Sequence, residues 1–154
     1  MASIRISPAK KTVTRKTDRR SVLVTGASGG IGRAVCRAFA AAGWYVGVHY
    51  HRNKPEAERT LRAVRATGGT GRLFQADVRE SDSVRRMIEQ FVTKAPPLHS
   101  LVCNAGIAAS RLLLRQAEEE WADVVATNLT GVYHCLQAMA PPLFSQGEIG
   151  RAHV

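Results

Sequence analysis

Residues 25–32 read Thr25-Gly26-Ala27-Ser28-Gly29-Gly30-Ile31-Gly32. They follow a short apolar run and precede a helical pattern, so they are predicted to connect a strand to a helix. Glycine lets the backbone turn sharply and approach a ligand closely, and the free N–H groups that begin a helix attract anions. The glycines fit a GxxxGxG spacing through Gly26, Gly30 and Gly32, and a GxxGxxG spacing through Gly29. We therefore predict a backbone site for the pyrophosphate of a dinucleotide; the alternative is a tight turn that binds no ligand.

Short apolar runs alternate with helical periods from Ser21 onward. Strands are predicted at residues 21–25, 44–50, 70–76 and 98–103, and helices at 30–42, 55–67, 81–94 and 118–139. Residues 105–116 are predicted as a loop, and Pro141 and Pro142 are predicted to end the last helix, because proline has no N–H group. This alternation is typical of βαβ units around a parallel sheet. The predicted fold class is therefore α/β, a doubly wound, Rossmann-type parallel sheet, of which we expect the N-terminal half.

The net charge of +10 is unevenly distributed. Residues 1–20 hold seven Lys or Arg and one acidic residue, Asp18. We expect a disordered basic arm at 1–20 and a single globular domain at 21–147. The arm has neither the hydrophobic segment of a secretory signal nor an aromatic residue to stack on bases, and no run is long enough to span a membrane. We therefore expect a cytoplasmic protein without a membrane or nucleic-acid partner; nucleic-acid binding through the arm is the alternative.

Cysteine and histidine residues give no indication of a metal site. Cys36, Cys103 and Cys135 are far apart in sequence, and the five histidines form neither an HxxxH nor an HExxH motif. We expect no metal, and we expect the three cysteines to be reduced, buried thiols.

Two further motifs accompany the glycine-rich loop. Asn104-Ala105-Gly106 follows the fourth predicted strand, and Asn128 lies in the last predicted helix. Together these motifs resemble the short-chain dehydrogenases/reductases. Within that family, the 3-oxoacyl-[acyl-carrier-protein] reductases are most similar in three segments: Leu112-Leu113-Leu114-Arg115, Glu119-Glu120-Trp121 and Thr127-Asn128-Leu129-Thr130-Gly131. The resemblance runs from Ser21 to Gly147.

The resemblance implies a nicotinamide dinucleotide and the residues that bind it. Besides the loop from Gly26 to Gly32, the implied binding residues are Asn104, Ala105 and Gly106 at the ribose and Asp77 and Val78 at the adenine. The alternatives are an ordinary turn at residues 104–106 and a solvated carboxylate at Asp77. Asn128 is implied to hold a water molecule in a catalytic proton relay; alternatively, it bonds its own backbone.

The residues after the second predicted strand bear on which nicotinamide cofactor is used. NAD-dependent enzymes place an acidic residue there, whereas here His51 and Arg52 come first and the nearest acid is Glu56. A guanidinium group can pair with a 2′-phosphate through two hydrogen bonds. We therefore predict that NADP(H) is preferred over NAD(H). The alternative is that Arg52 is a solvated charge in a loop and binds no phosphate. Gly29 departs from related NADP-dependent enzymes, many of which have arginine there.

The resemblance implies reduction of a carbonyl, for which the family uses a Ser and a Tyr-x-x-x-Lys pair. Tyr50 and Lys54 match the spacing, but Pro55 follows Lys54 and Tyr50 ends a strand, so we expect this pair not to be catalytic. The expected function is NADPH-dependent reduction of a 3-oxoacyl thioester, with acyl-carrier protein as a partner and a homo-oligomeric parent enzyme; a close relative that acts on another carbonyl or alcohol is an alternative. We expect these 154 residues alone to be inactive. The alternative is an inactive NADP-binding sensor or regulatory module.

The last seven residues do not continue the family pattern, and they read Glu148-Ile149-Gly150-Arg151-Ala152-His153-Val154. One possible codon set, GAG ATC GGA AGA GCA CAC GTC, matches the start of a widely used sequencing adapter from its second base onward. We therefore expect residues 148–154 to be foreign to the gene. The alternative is a natural terminus with this sequence.

Overall fold

The computed structural model describes residues 20–145. The predicted tail at 148–154 lies outside the described residues, and so does the predicted arm at 1–20 except for Arg20.

Parallel strands form a single sheet in this part of the chain: β1 (Ser21–Val24), β2 (Tyr45–Tyr50), β3 (Thr70–Gln75) and β4 (Leu98–Val102). Their order is β3-β2-β1-β4. The chain therefore builds outward from β1 to β3 and then crosses back to place β4 on the other side of β1. In open α/β sheets, ligands bind at the carboxyl ends of the strands where the order reverses. The predicted fold class is confirmed, and the reversal lies between β1 and β4.

The helices that connect the strands cover both faces of the sheet: α1 (Gly30–Ala41), α2 (Lys54–Ala66), α3 (Ser81–Lys94), α4 (Glu118–Val125) and α5 (Gly131–Ser145). Alternate residues of a strand point to opposite faces. Val22 and Val24 accordingly pack with residues of α1 and α2, such as Cys36 and Val64, in one apolar cluster. Leu23 packs with residues of α3 and α5 in the other. The sheet is thus buried on both faces, which explains the continuous apolar strands in the sequence.

The prediction that Pro141 and Pro142 end the last helix is wrong, because α5 continues to Ser145. A proline withholds one N–H donor, but the helix can continue where later side chains remain packed. Leu143 packs against the apolar cluster beneath α5, which anchors the last turn. The single predicted helix at 118–139 is also divided, since a π-helical turn (Ala126–Thr130) joins α4 to α5.

Smaller differences concern the loops and helix starts. The predicted loop at 105–116 contains a 3₁₀ turn (Leu113–Arg115). Helix α2 begins at Lys54, one residue before the predicted start, because the Asn53 side chain accepts a hydrogen bond from the Glu56 N–H group and caps the helix. No helix within residues 20–145 is both long enough and apolar enough to cross a membrane.

Candidate functional site

A cleft of about 390 Å³ lies at the carboxyl ends of the strands, next to the strand-order reversal. The lining comes from the loops that follow all four strands and from α4 and the π-helical turn: Gly26, Ser28, His49, His51, Arg52, Asn53, Asp77, Val78, Arg79, Ala105, Gly106, Ile107, Asp123 and Thr127. The cleft therefore brings together the glycine-rich loop, the end of β2 and the segment after β3.

Close backbone approach requires glycine at two positions, one in the β1–α1 loop and one in the first turn of α1. Gly26 has a φ of +61°, and a Cβ atom there would lie 2.7 Å from Ala105 Cα. A Cβ atom at Gly32 would lie 2.7 Å from Gly26 O and 2.8 Å from Asn104 Nδ2. Any larger residue would push the loop away from β4. The glycines therefore allow the β1–α1 loop and the segment after β4 to form one surface.

The first turn of α1 is open to an anion. Gly29 precedes the helix without a side-chain cap, and the first turn contains no acidic residue. The initial N–H groups of a helix have no intrahelical acceptors and attract negative charge. Ser28 lines the cleft beside this turn. The loop can therefore bind a pyrophosphate through its backbone.

Thr25 and Asn104 fasten the glycine-rich loop to the segment after β4. Thr25 Oγ1 accepts hydrogen bonds from the N–H groups of Asn104 at 2.9 Å and Ala105 at 3.0 Å. Asn104 Nδ2 donates to the carbonyls of Thr25 at 2.9 Å and Gly26 at 3.2 Å. Asn104 thus supports the cleft from beneath rather than lining it.

His49 fastens the same loop to the end of β3. Its ring is buried: Nδ1 accepts a hydrogen bond from the Gly26 N–H at 3.0 Å, so Nε2 carries the proton and donates to Ala76 O at 3.1 Å. Burial lowers the pKa of His49 to about 4; the Ala76 bond and the Asp77 charge oppose this, and the His51 charge reinforces it. The neutral ring therefore joins β1, β2 and β3 at the base of the cleft.

Basic residues at the end of β2 line one rim of the cleft. His51 and Arg52 lie there, and Arg52 is exposed. Glu56, the nearest acid along the chain, is engaged by Arg33 Nη2 at 2.5 Å and lies 3.1 Å from Arg59 Nη1. The carboxylate is therefore held toward α1 and α2, and its negative charge is compensated by two arginines.

Asp77 lies at the centre of a charged cluster beside His51. Arg79 Nη2 donates to Asp77 Oδ2 at 2.7 Å, while Arg79 Nη1 donates to Asp123 Oδ1 on α4 at 2.9 Å. His51 Nε2 lies 3.4 Å from Asp77 Oδ2. The hydrogen bonds from Arg79 lower the pKa of Asp77 to about 2 against the opposing effect of desolvation, so the carboxylate is charged at neutral pH. The cluster links the segment after β3 to α4.

Similar proteins confirm the family. A family model described as short chain dehydrogenase matches residues 20–151. The chain belongs to the short-chain dehydrogenases. It is 42% identical over 127 residues to the 3-oxoacyl-[acyl-carrier-protein] reductase of Staphylococcus aureus, which confirms the resemblance read from the motifs. That alignment covers 82% of this chain and 52% of the reductase, so the chain spans about half the length of this relative.

Solved structures of short-chain dehydrogenases agree with the fold. A short-chain type dehydrogenase/reductase from Mycobacterium marinum superimposes with a TM-score of 0.81 at 32% identity, covering 89% of this chain and 55% of that one. A gluconate 5-dehydrogenase from Burkholderia cenocepacia, solved with NADP and tartrate, gives a TM-score of 0.77 at 30% identity and covers 89% of this chain and 54% of that one.

Asn128 of this short-chain dehydrogenase bonds a neighbouring segment rather than its own backbone. Its Oδ1 accepts from the Ile107 N–H, and its Nδ2 donates to Ile107 O, both at 2.9 Å. Asn128 lies within the π-helical turn, and Oδ1 would lie 3.3 Å from a Cβ atom at Gly106. The residue therefore positions the loop after β4, which is part of the cleft.

The Tyr50 and Lys54 pair lies away from the cleft of this short-chain dehydrogenase. Tyr50 is buried in the apolar cluster under α1 and α2, and its hydroxyl donates to Gln75 Oε1 at 3.4 Å. Lys54 is exposed at the start of α2, 4.0 Å from Glu58. The two side chains therefore have different surroundings, and neither lines the cleft.

The residues predicted from the sequence to bind the cofactor, together with the predicted catalytic Asn128, divide into two groups. The cleft is lined by Gly26, Ser28, His51, Arg52, Asp77, Val78, Ala105 and Gly106, whereas Ala27, Gly29, Gly30, Ile31, Gly32, Asn104 and Asn128 do not line it. Ala27 is a buried residue of the loop, and Ile31 is exposed on α1. Sequence reasoning missed His49, Arg79 and Asp123 as parts of the site. His49 could have been found as a polar residue within an otherwise apolar buried strand. No sequence pattern indicates that Arg79 pairs with Asp123.

The described part of the chain gives no indication of a metal site or of a reactive thiol at Cys36. Residues 20–145 contain no group of three or more His, Cys, Asp and Glu residues that could hold a metal ion. The three cysteines are free thiols, with Cys36 and Cys135 buried and Cys103 half-buried. Burial raises the pKa of Cys36 to about 12, so this thiol is uncharged and unreactive at neutral pH.

Proposed function

We propose that this chain forms the nucleotide-binding half of an NADPH-dependent oxidoreductase. The substrate is a 3-oxoacyl thioester, whose 3-oxo carbonyl group is reduced to the alcohol. The observation that carries the proposal is the cleft, which is lined both by the loop that leads into the uncapped start of α1 and by the basic end of β2. A bound nicotinamide cofactor would supply a hydride ion. This chain's residues bind and orient that cofactor.

The preference for NADPH rests on charge at the end of β2. Arg52 makes no ion pair with another residue between 20 and 145, and its guanidinium is available for a 2′-phosphate. Glu56 is engaged by Arg33 and Arg59, so its charge does not oppose that phosphate. The related gluconate 5-dehydrogenase was solved with NADP, which agrees with this preference.

The substrate and partners are proposed from the relatives and from the exposed surface. The name of the Staphylococcus aureus relative indicates a 3-oxoacyl group carried on acyl-carrier protein. Exposed apolar side chains lie along α4, the π-helical turn and α5: Trp121 is 61% exposed, Leu129 is 68% exposed and Tyr133 is 58% exposed. Apolar surface of this kind favours burial against another protein. We therefore propose a homo-oligomer for the parent enzyme.

We propose that the 154 residues alone do not catalyse the reaction. The Tyr50 hydroxyl donates to Gln75 on the neighbouring strand β3, and Tyr50 does not line the cleft, so it is not placed to donate a proton to a substrate there. General acid catalysis typically contributes about 10² to 10⁴-fold to the rate. The second candidate is therefore an inactive NADP-binding sensor or regulatory module, favoured by the same burial of Tyr50.

Cofactor titration tests the proposal. NADPH should bind the 154-residue chain more tightly than NADH, and Arg52→Ala should weaken NADPH binding roughly tenfold or more while changing NADH binding little. Arg62→Ala, an exposed arginine on α2 outside the cleft, is the matched control. Tighter binding of NADH than of NADPH would contradict the proposed preference, and binding of neither would contradict the proposed function.

Turnover distinguishes the enzyme from the sensor. NADPH oxidation with acetoacetyl thioester should be absent for the 154-residue chain and present for an uninterrupted parent gene product. A parent that binds NADPH but oxidises none with any carbonyl substrate would favour the sensor.

A further inference from the structure

We propose that Cys103 and Cys135 form a redox-active thiol pair, which a peroxide oxidises to a disulfide within the chain, with Cys103 as the thiol that attacks the peroxide. Cys103 directly follows β4, and Cys135 lies on α5. The third thiol, Cys36, is buried in the apolar cluster on the other face of the sheet. The oxidation requires no bound dinucleotide, so it is independent of the proposed function.

The fold holds the two thiols side by side. Both line one narrow gap between the end of β4 and α5, and this gap has no room for a water molecule. Cys135 belongs to the apolar cluster on this face of the sheet, and Cys103 packs against that cluster. Helix α5 approaches closely here, because Gly131 lies about one turn before Cys135 and a Cβ atom on it would lie 2.8 Å from Val78 Cγ2. The two thiols therefore face each other without intervening water.

The contact makes the two thiols chemically unequal. A hydrogen bond from the Cys135 thiol lowers the pKa of Cys103, against the opposing effect of burial. The same bond raises the pKa of Cys135, and burial and the charge of Cys103 add to that rise. The thiolate, not the thiol, is the nucleophile in cysteine chemistry. Cys103 is therefore the thiol that ionises first, while Cys135 keeps its proton.

Exposure assigns the same roles. Cys103 is half-buried, so a small oxidant can reach its sulfur from solvent, whereas Cys135 is only 1% exposed. Cys36 is buried as well, and burial raises its pKa to about 12. Oxidation follows both thiolate character and exposure, and among the three cysteines Cys103 alone combines them. Peroxide should therefore attack Cys103 first.

The oxidation has two steps. The Cys103 thiolate attacks one oxygen of hydrogen peroxide, the O–O bond breaks, and a sulfenic acid and hydroxide form; the hydroxide takes up a proton to become water. The sulfenic acid carries no negative charge, so the interaction that held the Cys135 proton is lost. The Cys135 sulfur then attacks the Cys103 sulfur, the S–O bond breaks, and the hydroxyl group leaves with the Cys135 proton as a second water. The two thiols together lose two electrons, which reduce the peroxide.

Peptide mapping of the peroxide-treated 154-residue chain tests the pairing. Trypsin cleaves after Arg111 and Arg115, so Cys103 and Cys135 fall in different peptides that only a disulfide can join. Dilute, folded protein should give this linked pair of peptides, lose two hydrogen atoms per chain and remain monomeric on a non-reducing gel. Cys36 should remain a thiol. Dithiothreitol should separate the linked peptides.

Alkylation identifies the nucleophile. At neutral pH, iodoacetamide should modify Cys103 roughly tenfold or more faster than Cys36 or Cys135 in the folded chain. Cys135→Ser keeps a hydrogen-bond donor, so Cys103 should stay reactive, and peroxide should leave a sulfenic acid that dimedone traps. Cys135→Ala removes the donor, so alkylation of Cys103 should become several-fold slower. Cys36→Ser is the matched control and should change neither the alkylation nor the disulfide.

Four results would overturn the proposal: no linked peptides after peroxide treatment, a disulfide that involves Cys36, a disulfide only between chains, or alkylation of Cys103 no faster than that of Cys36. Oxidation in urea should pair the three thiols without preference, and an unchanged preference for Cys103 with Cys135 would show that the fold does not create the pair. Where a variant fails to fold, detected by thermal unfolding, the comparison of the three thiols within the unmodified chain decides.

Discussion

Acid should destabilise this protein through His49, whose ring is buried and neutral. The pKa of His49 is lowered from 6.5 to about 4 in the folded chain, chiefly by desolvation. Below pH 6.5 the unfolded state binds a proton that the folded state does not, so stability falls as the pH decreases and the loss is complete near pH 4. At about 1.4 kcal/mol per pH unit, the free energy of unfolding should decrease by about 2.5 kcal/mol between pH 7 and pH 4.5.

His49→Asn isolates this effect from the titration of carboxylates. The asparagine Oδ1 can accept the Gly26 N–H in place of Nδ1, but the side chain does not titrate and does not reach Ala76. Urea unfolding followed by tryptophan fluorescence, at low micromolar concentration and at pH 7.0, 5.5 and 4.5, measures both proteins. The variant should be less stable at pH 7 yet lose about 2.5 kcal/mol less on acidification. Equal losses in the two proteins would refute the reasoning, because His51 and Asp77, the charged groups facing His49, are present in both.

Three further substitutions test individual contacts. Gly26→Ala should weaken NADPH binding more than tenfold in a titration, whereas Gly43→Ala, at a φ of +82° with open space around it, should not. Asn128→Ala should lower the free energy of unfolding by about 1–2 kcal/mol through loss of two hydrogen bonds, and an unchanged free energy would contradict this. Asn128→Asp should not restore the loss, because its second carboxylate oxygen would face the Ile107 carbonyl oxygen. Tyr50→Phe should leave NADPH affinity and parent turnover unchanged, and abolished turnover would show that Tyr50 is catalytic.

Local patterns in the sequence were sufficient to predict the sheet and the glycine-rich loop. Buried parallel strands read as short apolar runs, and the loop glycines recur at positions where a Cβ atom would clash, as at Gly26 and Gly32. The end of the last helix was not predictable from Pro141 and Pro142. Whether a helix continues through proline depends on packing, here that of Leu143, and such packing is a tertiary property that the local pattern does not contain.

The roles of the site residues depended on contacts between distant segments. Asn128 matched a family motif, but its two hydrogen bonds to Ile107 follow from the π-helical turn, which no periodicity indicated. Asp77 lines the cleft, and its predicted contact with the cofactor stays a prediction. Its pairing with Arg79 is close in sequence, yet the bond from Arg79 to Asp123 spans two elements and became visible only in the fold.

Side chains beneath the cleft couple cofactor binding to the stability of the sheet. His49 joins the loop after β1 to the end of β3, while Thr25 and Asn104 join the same loop to the segment after β4. The cleft therefore exists only when β3, β2, β1 and β4 are all paired, because each strand carries one part of its lining. A ligand that binds only the folded state raises the free energy of unfolding by RT ln(1 + [L]/Kd). We therefore expect the interior bonds at Gly26 and Asn104 to contribute to cofactor affinity, so that weakening them lowers affinity and stability together.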